Sequence, residues 1–188
     1  MGRKEIGNPK RSNSCAVAVL YPDRDRLALE THFAALGSED LYHRFCGATK
    51  PAGVTRFLDR LILTAIPWYG IFKPRFGLAA VCQLAQCGFN LEAALTVLPA
   101  FRRQGLATAL LGRSASYARA RGFRALLIHS SMDNTPMLSL ARRFGMTIEI
   151  LKGEVDGRLT LGVGASRPAS SARDGAASLA GIPRVSAS

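Results

Sequence analysis

The stretch LEAALTVLPAFRRQGLATALL, residues 91–111, decides the fold of this chain. Its apolar first half predicts a strand that ends near Val97, and Pro99 then turns the chain into a short basic segment. A helix opens at Gly105. Because the first backbone N–H groups of a helix have no acceptor within it, this strand–turn–helix unit predicts a binding site for a phosphate or pyrophosphate.

The residues of the turn suit an anion. Gly105 lets the backbone approach it closely, and Ala107 keeps the first helical turn thin. Arg102 and Arg103 add positive charge within the turn itself. The alternative is an ordinary strand–helix connection with one glycine. For the arginines farther along the helix, a solvated surface is an equal explanation.

A second segment lies at a suitable distance. After Gly122, residues 123–131 predict a buried strand, and residues 133–146, DNTPMLSLARRFGM, predict a further helix that Asp133 or Asn134 caps. The apolar residues of that helix recur at helical spacing: Met137, Leu140, Ala141 and Phe144.

Together these segments resemble the two signatures of the GCN5-related N-acetyltransferase (GNAT) superfamily. The first signature is Arg-x-x-Gly-x-Ala after a strand ending Val-x-Pro, and the second is Asn-x-x-Met followed by a helix-ending glycine. The resemblance implies that acetyl-CoA is the co-substrate, with its pantetheine arm along the strand and its pyrophosphate in the turn. For Asn134, capping of its own helix is an equal explanation. The implied cofactor-binding residues are Leu95, Val97, Arg102, Arg103, Gln104, Gly105, Leu106, Ala107, Thr108 and Asn134.

Residues 36–45, LGSEDLYHRF, resemble the corresponding region of bacterial protein-lysine acetyltransferases of the Pat type. The likeness covers about residues 15–163. It implies that Glu92 is the general base, because Glu92 matches the acidic position of the pattern and begins the strand that ends at the turn. The alternative for Glu92 is a surface carboxylate at a strand end. A backbone N–H near Val97 or Leu98 would stabilise the oxyanion.

One residue departs from the family pattern. Many members have a tyrosine, the acid for the leaving thiolate, where this chain has Ala141. Water, Ser130, Ser131 or a thiol would then supply the proton, or the chain is a poor catalyst. Two functions stay open: acetyl transfer by direct attack of a protein lysine or small amine in a ternary complex, and an acyl-CoA-binding regulatory domain with little turnover.

Composition and simple motifs limit which other functions the protein could have. The 188 residues carry 25 basic and 13 acidic side chains, a net charge of +12, which leaves a nucleic-acid-binding protein as a third alternative without a recognisable motif. No nucleotide-binding P-loop pattern occurs, and no apolar run is long enough to predict a membrane helix. Four cysteines without C-x-x-C spacing predict buried thiols and a cytoplasmic location, and three scattered histidines predict no metal site. The oligomeric state stays open.

The overall prediction is a mixed α/β (α+β) fold of the GNAT type, with six to seven strands in one sheet and about four flanking helices. The domain spans 15–164, between tails at 1–14 and 165–188 that are predicted to be disordered. A helix over 23–36 should bury Leu27, Leu29, Phe33 and Leu36. Strands over 146–151 and 158–163 should form a closing hairpin that turns at Asp156-Gly157. The other predicted elements are strands 15–20, 68–73, 77–86 and 90–97, and helices 38–46, 54–65 and 105–121.

Overall fold

A mixed sheet of seven strands organises the computed structural model, which describes residues 16–45, 51–61 and 66–162. Five α-helices lie within these ranges, one at each of the five segments predicted as helical, which is one more than the overall prediction of about four. In chain order the elements are β1 Ala18–Leu20, α1 Arg26–Ala34, α2 Ser38–Phe45, α3 Pro51–Leu61, β2 Trp68–Lys73, β3 Gly77–Cys87, β4 Asn90–Val97, a 3₁₀ turn Pro99–Phe101, α4 Leu106–Ala120, β5 Ala125–Ser131, α5 Thr135–Arg143, β6 Thr147–Leu151 and β7 Glu154–Thr160.

The strand order is β1-β2-β3-β4-β5-β7-β6, and every neighbouring pair is antiparallel except β4 and β5. That parallel pair is joined by α4, which confirms the predicted crossover. Its register covers only Leu91 opposite Leu126 and Glu92 opposite Leu127. β4 pairs with β3 over its whole length but with β5 only as far as Glu92. A gap therefore opens between β4 and β5 in the middle of the sheet.

Both faces of the sheet are covered. On one face, Leu91 and Leu95 of β4 belong to the same buried cluster as Leu110 of α4. On the other face, Phe33 of α1 packs in a second cluster with Trp68 of β2. The strands therefore have few solvent-exposed positions in the centre of the sheet, as expected for strands buried on two sides.

The first helix buries a narrower face than predicted. Leu29, Phe33 and Leu36 are buried, as expected, but Leu27 is 77% exposed. Residues two positions apart on a helix point about 200° from each other, so Leu27 cannot share the face of Leu29. The buried face instead includes His32.

The closing hairpin turns at a different place from the one predicted. Lys152 and Gly153 have φ values of 52° and 84°, and two successive positive values are what a tight two-residue hairpin turn requires. Asp156 and Gly157 lie within β7 instead, opposite Glu149 and Ile148 of β6. A Cβ at Gly157 would lie 2.6 Å from Ile128 Cγ1, so this glycine leaves room for the side chain of Ile128, its partner in β5, and makes no turn.

The predicted tails at 1–14 and 165–188 lie outside the described residues, as do Cys15 and Cys46. Of the two described cysteines, Cys82 is buried and Cys87 is half-buried. Burial raises the pKa of Cys82 to about 12, so its thiol is protonated at neutral pH.

Candidate active site

A cleft of about 570 Å³ lies where β4 leaves β5. Its walls come from α2, the end of β4, the turn before α4, the first turn of α4, and α5. Among the residues implied for cofactor binding, Gln104 is not part of the lining, and its side chain donates to the Ala100 carbonyl at 3.2 Å. The other nine all line the cleft: Leu95, Val97, Arg102, Arg103, Gly105, Leu106, Ala107, Thr108 and Asn134.

The main chain of β4 faces this gap at alternate residues. Leu98 N–H donates to Ala79 O of β3 at 2.9 Å, and the alternation of antiparallel pairing then turns the N–H and C=O groups of Val97, Leu95 and Ala93 away from β3. Beyond Glu92, β5 no longer pairs with that side of β4. Of the two N–H groups expected to stabilise an oxyanion, the one of Leu98 is therefore already bonded within the sheet, and the one of Val97 faces the gap.

The turn leads directly into the α4 N-terminus. Gly105 is the N-cap in the left-handed conformation, with φ 79°, and Arg103 before it has φ 60°. No side chain accepts from the first N–H groups of α4, and its first turn has no acidic residue. A Cβ added at Gly105 would meet nothing within 4 Å. The helix thus presents donors and a positive dipole end to open space beside the cleft.

The Arg102 side chain does not extend freely into this space. Its Nη2 lies 2.5 Å from Asp40 Oδ1 of α2, and its Nε donates to the Val97 carbonyl at 3.2 Å. Thr108 Oγ1 also has a protein partner, since it accepts from Arg143 Nη2 at 2.8 Å. The side chains of the turn therefore hold the walls of the cleft together, and its main chain supplies the donors for an anion.

Asn134 caps α5, because its Oδ1 accepts from Met137 N–H at 3.2 Å. This confirms the capping explanation for Asn134. Its contact with the cofactor stays a prediction.

Glu92 is buried, with 2% of the residue exposed, so the alternative of a surface carboxylate is wrong. It is the last residue of β4 that pairs with β5, and it lies between Ala85 of β3 and Leu127 of β5, where the gap begins. Glu92 itself is not part of the cleft lining, but it lies two residues before Ala94 and beside His129, which both are. This position suits the general base implied by the resemblance.

Sequence reasoning did not assign a site role to His129, which lies beside Glu92, or to Asp156, which contacts His129. His129 of β5 lines the cleft, and its Nε2 is 3.9 Å from Glu92 Oε2. Its Nδ1 is hydrogen-bonded to Asp156 Oδ1 of β7. The alternation of residues 125–131 could have placed His129 on the Glu92 face of the sheet, but the register of β7 is needed to find Asp156.

A second polar cluster occupies the α2 side of the cleft. His43 Nδ1 is 2.9 Å from Ser131 Oγ and 3.7 Å from Asp133 Oδ1. The hydrogen bond with Ser131, helped by the charge of His43, holds the pKa of Asp133 below its usual value. Ser131 is thus part of a hydrogen-bonded group near the cleft.

The other candidates for the leaving-group acid are less accessible. Ala141 is fully buried, and Ser130 is buried on the opposite face of β5 from Ser131. Cys82 is hydrogen-bonded to Ser114 at 3.3 Å and is not part of the cleft lining. Ser131 is not part of the cleft lining either, but its Oγ lies 2.9 Å from Nδ1 of His43, which is.

The later arginines support the surface explanation. None of Arg113, Arg121 and Arg124 lines the cleft. Their guanidinium groups lie over aromatic rings, at 5.4 Å from the Tyr69 centroid, 5.4 Å from Tyr117 and 4.4 Å from Phe89.

Within the described ranges, no group of three or more potential ligands could hold a metal ion. Every helix in the same ranges is too short or too polar to cross a lipid bilayer.

Comparison with known proteins agrees with this geometry. Residues 77–146 match the family model described as the Acetyltransferase (GNAT) family. These residues run from β3 to the end of α5 and contain the whole β4–turn–α4 unit. A search of curated protein sequences finds no significant match.

Solved structures share the fold. The GNAT domain of S. lividans PAT is 21% identical, with a TM-score of 0.69, and the match covers 77% of this chain and 89% of that one. An N-acetyltransferase from Staphylococcus aureus Mu50 is 14% identical, with a TM-score of 0.62 and coverage of 77% and 97%. A phosphinothricin acetyltransferase from Sinorhizobium meliloti, solved in complex with acetyl-CoA, is 16% identical, with a TM-score of 0.62 and coverage of 81% and 92%.

Proposed function

We propose that this chain is an N-acetyltransferase of the GNAT family, whose model matches residues 77–146, and that it transfers the acetyl group of acetyl-CoA to a primary amine. The acceptor is a protein lysine or a small amine, which attacks the thioester directly in a ternary complex. One observation carries the proposal. The edge of β4 that faces away from β3 and the uncapped N-terminus of α4 line a single cleft, and the buried Glu92 lies 3.9 Å from His129, which also lines it.

The cleft suits the two chemical parts of acetyl-CoA. The amides of a pantetheine arm would pair with the main chain of Leu95 and Val97 as an added strand does. The pyrophosphate would accept hydrogen bonds from the first N–H groups of α4, where the helix dipole also favours negative charge. Since the Val97 carbonyl already accepts from Arg102, the N–H of Val97 is the group that stays available at that residue.

The chemistry follows from the positions of these groups. Glu92 would take a proton from the acceptor ammonium, and the neutral amine would then attack the thioester carbonyl. The N–H of Val97 would stabilise the resulting oxyanion, and one such donor typically contributes about 3 kcal/mol. Collapse of the intermediate breaks the C–S bond. Water or Ser131 would then protonate the thiolate, because Ala141 offers no hydroxyl.

Ala141 also favours a second candidate, a domain that binds acyl-CoA with little or no turnover. The same cleft would serve it, but no step would depend on Glu92. Turnover by the wild type and by the Glu92→Gln variant therefore separates the two candidates.

Isothermal titration with acetyl-CoA is the test of the cleft. The wild type should bind, and the Arg102→Ala/Gly105→Glu variant should not, since it places a carboxylate at the anion site. Gly88→Glu is the matched control, because Gly88 also has a positive φ and open space around it, in the β3–β4 turn. Absence of binding by the folded wild type would overturn both candidates.

Turnover is then measured as thiol release from acetyl-CoA with a panel of lysine peptides and small amines. Release that is lost in Glu92→Gln, with acetyl-CoA affinity unchanged, supports the enzyme. Binding without release from any acceptor supports the second candidate.

A further inference from the structure

We propose that His129, oriented by Asp156, carries the proton that Glu92 receives from the acceptor amine out to solvent. This inference rests on the proposed acetyl transfer and adds a route for the proton. It starts from the burial of Glu92, because a base with 2% exposure cannot exchange protons readily with bulk water.

The proton balance makes such a route necessary. An acceptor that arrives as an ammonium ion loses two protons as the C–N bond forms and the C–S bond breaks. One of them ends on the sulfur of coenzyme A. The other is released, so Glu92 must return to its carboxylate form once in every turnover.

The three side chains form a path of rising exposure. The Glu92 side chain is 3% exposed, His129 is 34% exposed and Asp156 is 59% exposed. Glu92 Oε2 lies 3.9 Å from His129 Nε2, and the other ring nitrogen is hydrogen-bonded to Asp156. Antiparallel pairing of β5 with β7 sets His129 directly opposite Asp156, so the two side chains emerge on one face.

The hydrogen bond to Asp156 decides the tautomer of His129. An ionised carboxylate can only accept, so Nδ1 must carry the proton and Nε2 keeps its lone pair toward Glu92. Because 3.9 Å is longer than a hydrogen bond, the proton passes from the Glu92 carboxylic acid to Nε2 through one bridging water, which gives an imidazolium beside Asp156. The imidazolium then gives its Nε2 proton to water in the cleft that His129 lines and keeps the Nδ1 proton on Asp156, so His129 returns to the same tautomer and Glu92 is a carboxylate again.

The other charged groups around His129 have different partners or lie at the surface, so His129 is the group positioned to carry the proton from Glu92. Arg158 of β7 reaches away, to Asn90 Oδ1 at 3.4 Å. Glu149 of β6 lies opposite Asp156 and is exposed. From α2, Glu39, His43 and Arg44 line the same cleft, and His43 is held by Ser131 and Asp133.

Kinetics of the full-length protein test the relay. His129→Gln should lower kcat about 10²-fold, at the low end for positioned acid–base groups, and leave the KM for acetyl-CoA unchanged. In His129→Ala, added imidazole should restore part of the lost rate, which it would not do if His129 only supported the fold. Asp156→Asn should lower kcat as well, while the control Glu149→Gln, which also removes a carboxylate from this face, should keep the wild-type rate.

Nitrogen-15 NMR of the histidine ring provides a readout that needs no acceptor. The neutral His129 should carry its proton on Nδ1, because the Asp156 carboxylate can only accept a hydrogen bond from it. A proton on Nε2 would overturn the relay.

The kinetic outcomes separate the relay from the acetyl-transfer proposal. If Glu92→Gln is inactive and His129→Gln stays within twofold of the wild type, the relay is wrong and the general base stands. If Glu92→Gln keeps the wild-type rate, the base is wrong and the relay falls with it.

Discussion

Replacement of Gly105 by alanine should separate a backbone effect from a binding effect at the α4 N-terminus. Gly105 has φ 79°, a left-handed conformation that costs a residue with a Cβ about 1–2 kcal/mol. The added methyl group would meet no protein atom within 4 Å, so packing adds nothing to this cost. Gly105→Ala should therefore lower the free energy of unfolding by about 1–2 kcal/mol.

The same calculation applies to Gly88, which makes it a matched control. Gly88 lies in the β3–β4 turn with φ 57° and also has open space around its Cβ position. Gly88→Ala should lower the stability by a similar amount. For a chain of this length, each kcal/mol shifts Tm by about 2–4 °C, so thermal unfolding resolves both changes.

Binding of acetyl-CoA should distinguish the two variants. At Gly105 the methyl group occupies the space in front of the first N–H groups of α4, where the pyrophosphate is proposed to bind. Loss of one hydrogen bond to a charged acceptor costs about 1.5–3 kcal/mol, which weakens binding about 10- to 100-fold. Titration calorimetry should show this for Gly105→Ala and an unchanged Kd for Gly88→Ala. Equal Kd values in the two variants would refute the placement of the anion, and unchanged Tm values would refute the backbone argument.

Three further predictions concern stability. Burial lowers the pKa of His32, whose Nδ1 donates to Leu78 O and whose Nε2 accepts from Thr96, so the unfolded chain binds more protons below about pH 6.5. The free energy of unfolding should therefore fall as the pH drops below that value, by up to about 1.4 kcal/mol per pH unit. Urea unfolding at several pH values should show a smaller decrease per pH unit for His32→Gln than for the wild type. Gly157→Ala should lower the free energy of unfolding by about 1–3 kcal/mol, because its methyl group would overlap Ile128. A loss near zero in thermal unfolding would show that Gly157 is not packed against Ile128. Asn134→Ala should cost about 1 kcal/mol by loss of the cap on Met137 N–H, and an unchanged acetyl-CoA Kd in the same variant would leave capping as its whole role.

The strand–turn–helix unit was predictable because its signals are local. The apolar run that ends at Val97, the glycine at 105 and the apolar spacing of α4 each act within a few residues. The same holds for the three-strand meander β2–β3–β4, whose strands follow one another through short turns. The location of Glu92 at the head of this unit followed from the resemblance.

The sequence by itself therefore determined the fold class, the crossover from β4 through α4 to β5, and the main-chain segments that line the cleft. Tertiary structure alone decided which side chains meet there. The contact of Arg102 with Asp40 joins positions 62 residues apart, and that of His129 with Asp156 joins positions 27 apart. The sequence Asp156-Gly157 is typical of a two-residue turn, but here it lies within β7, with Gly157 packed against Ile128. The hairpin turns at Lys152-Gly153 instead, which moves its register by several residues. Register depends on the summed packing of whole strands, so no local pattern could have placed Asp156 beside His129, and His129 beside Glu92.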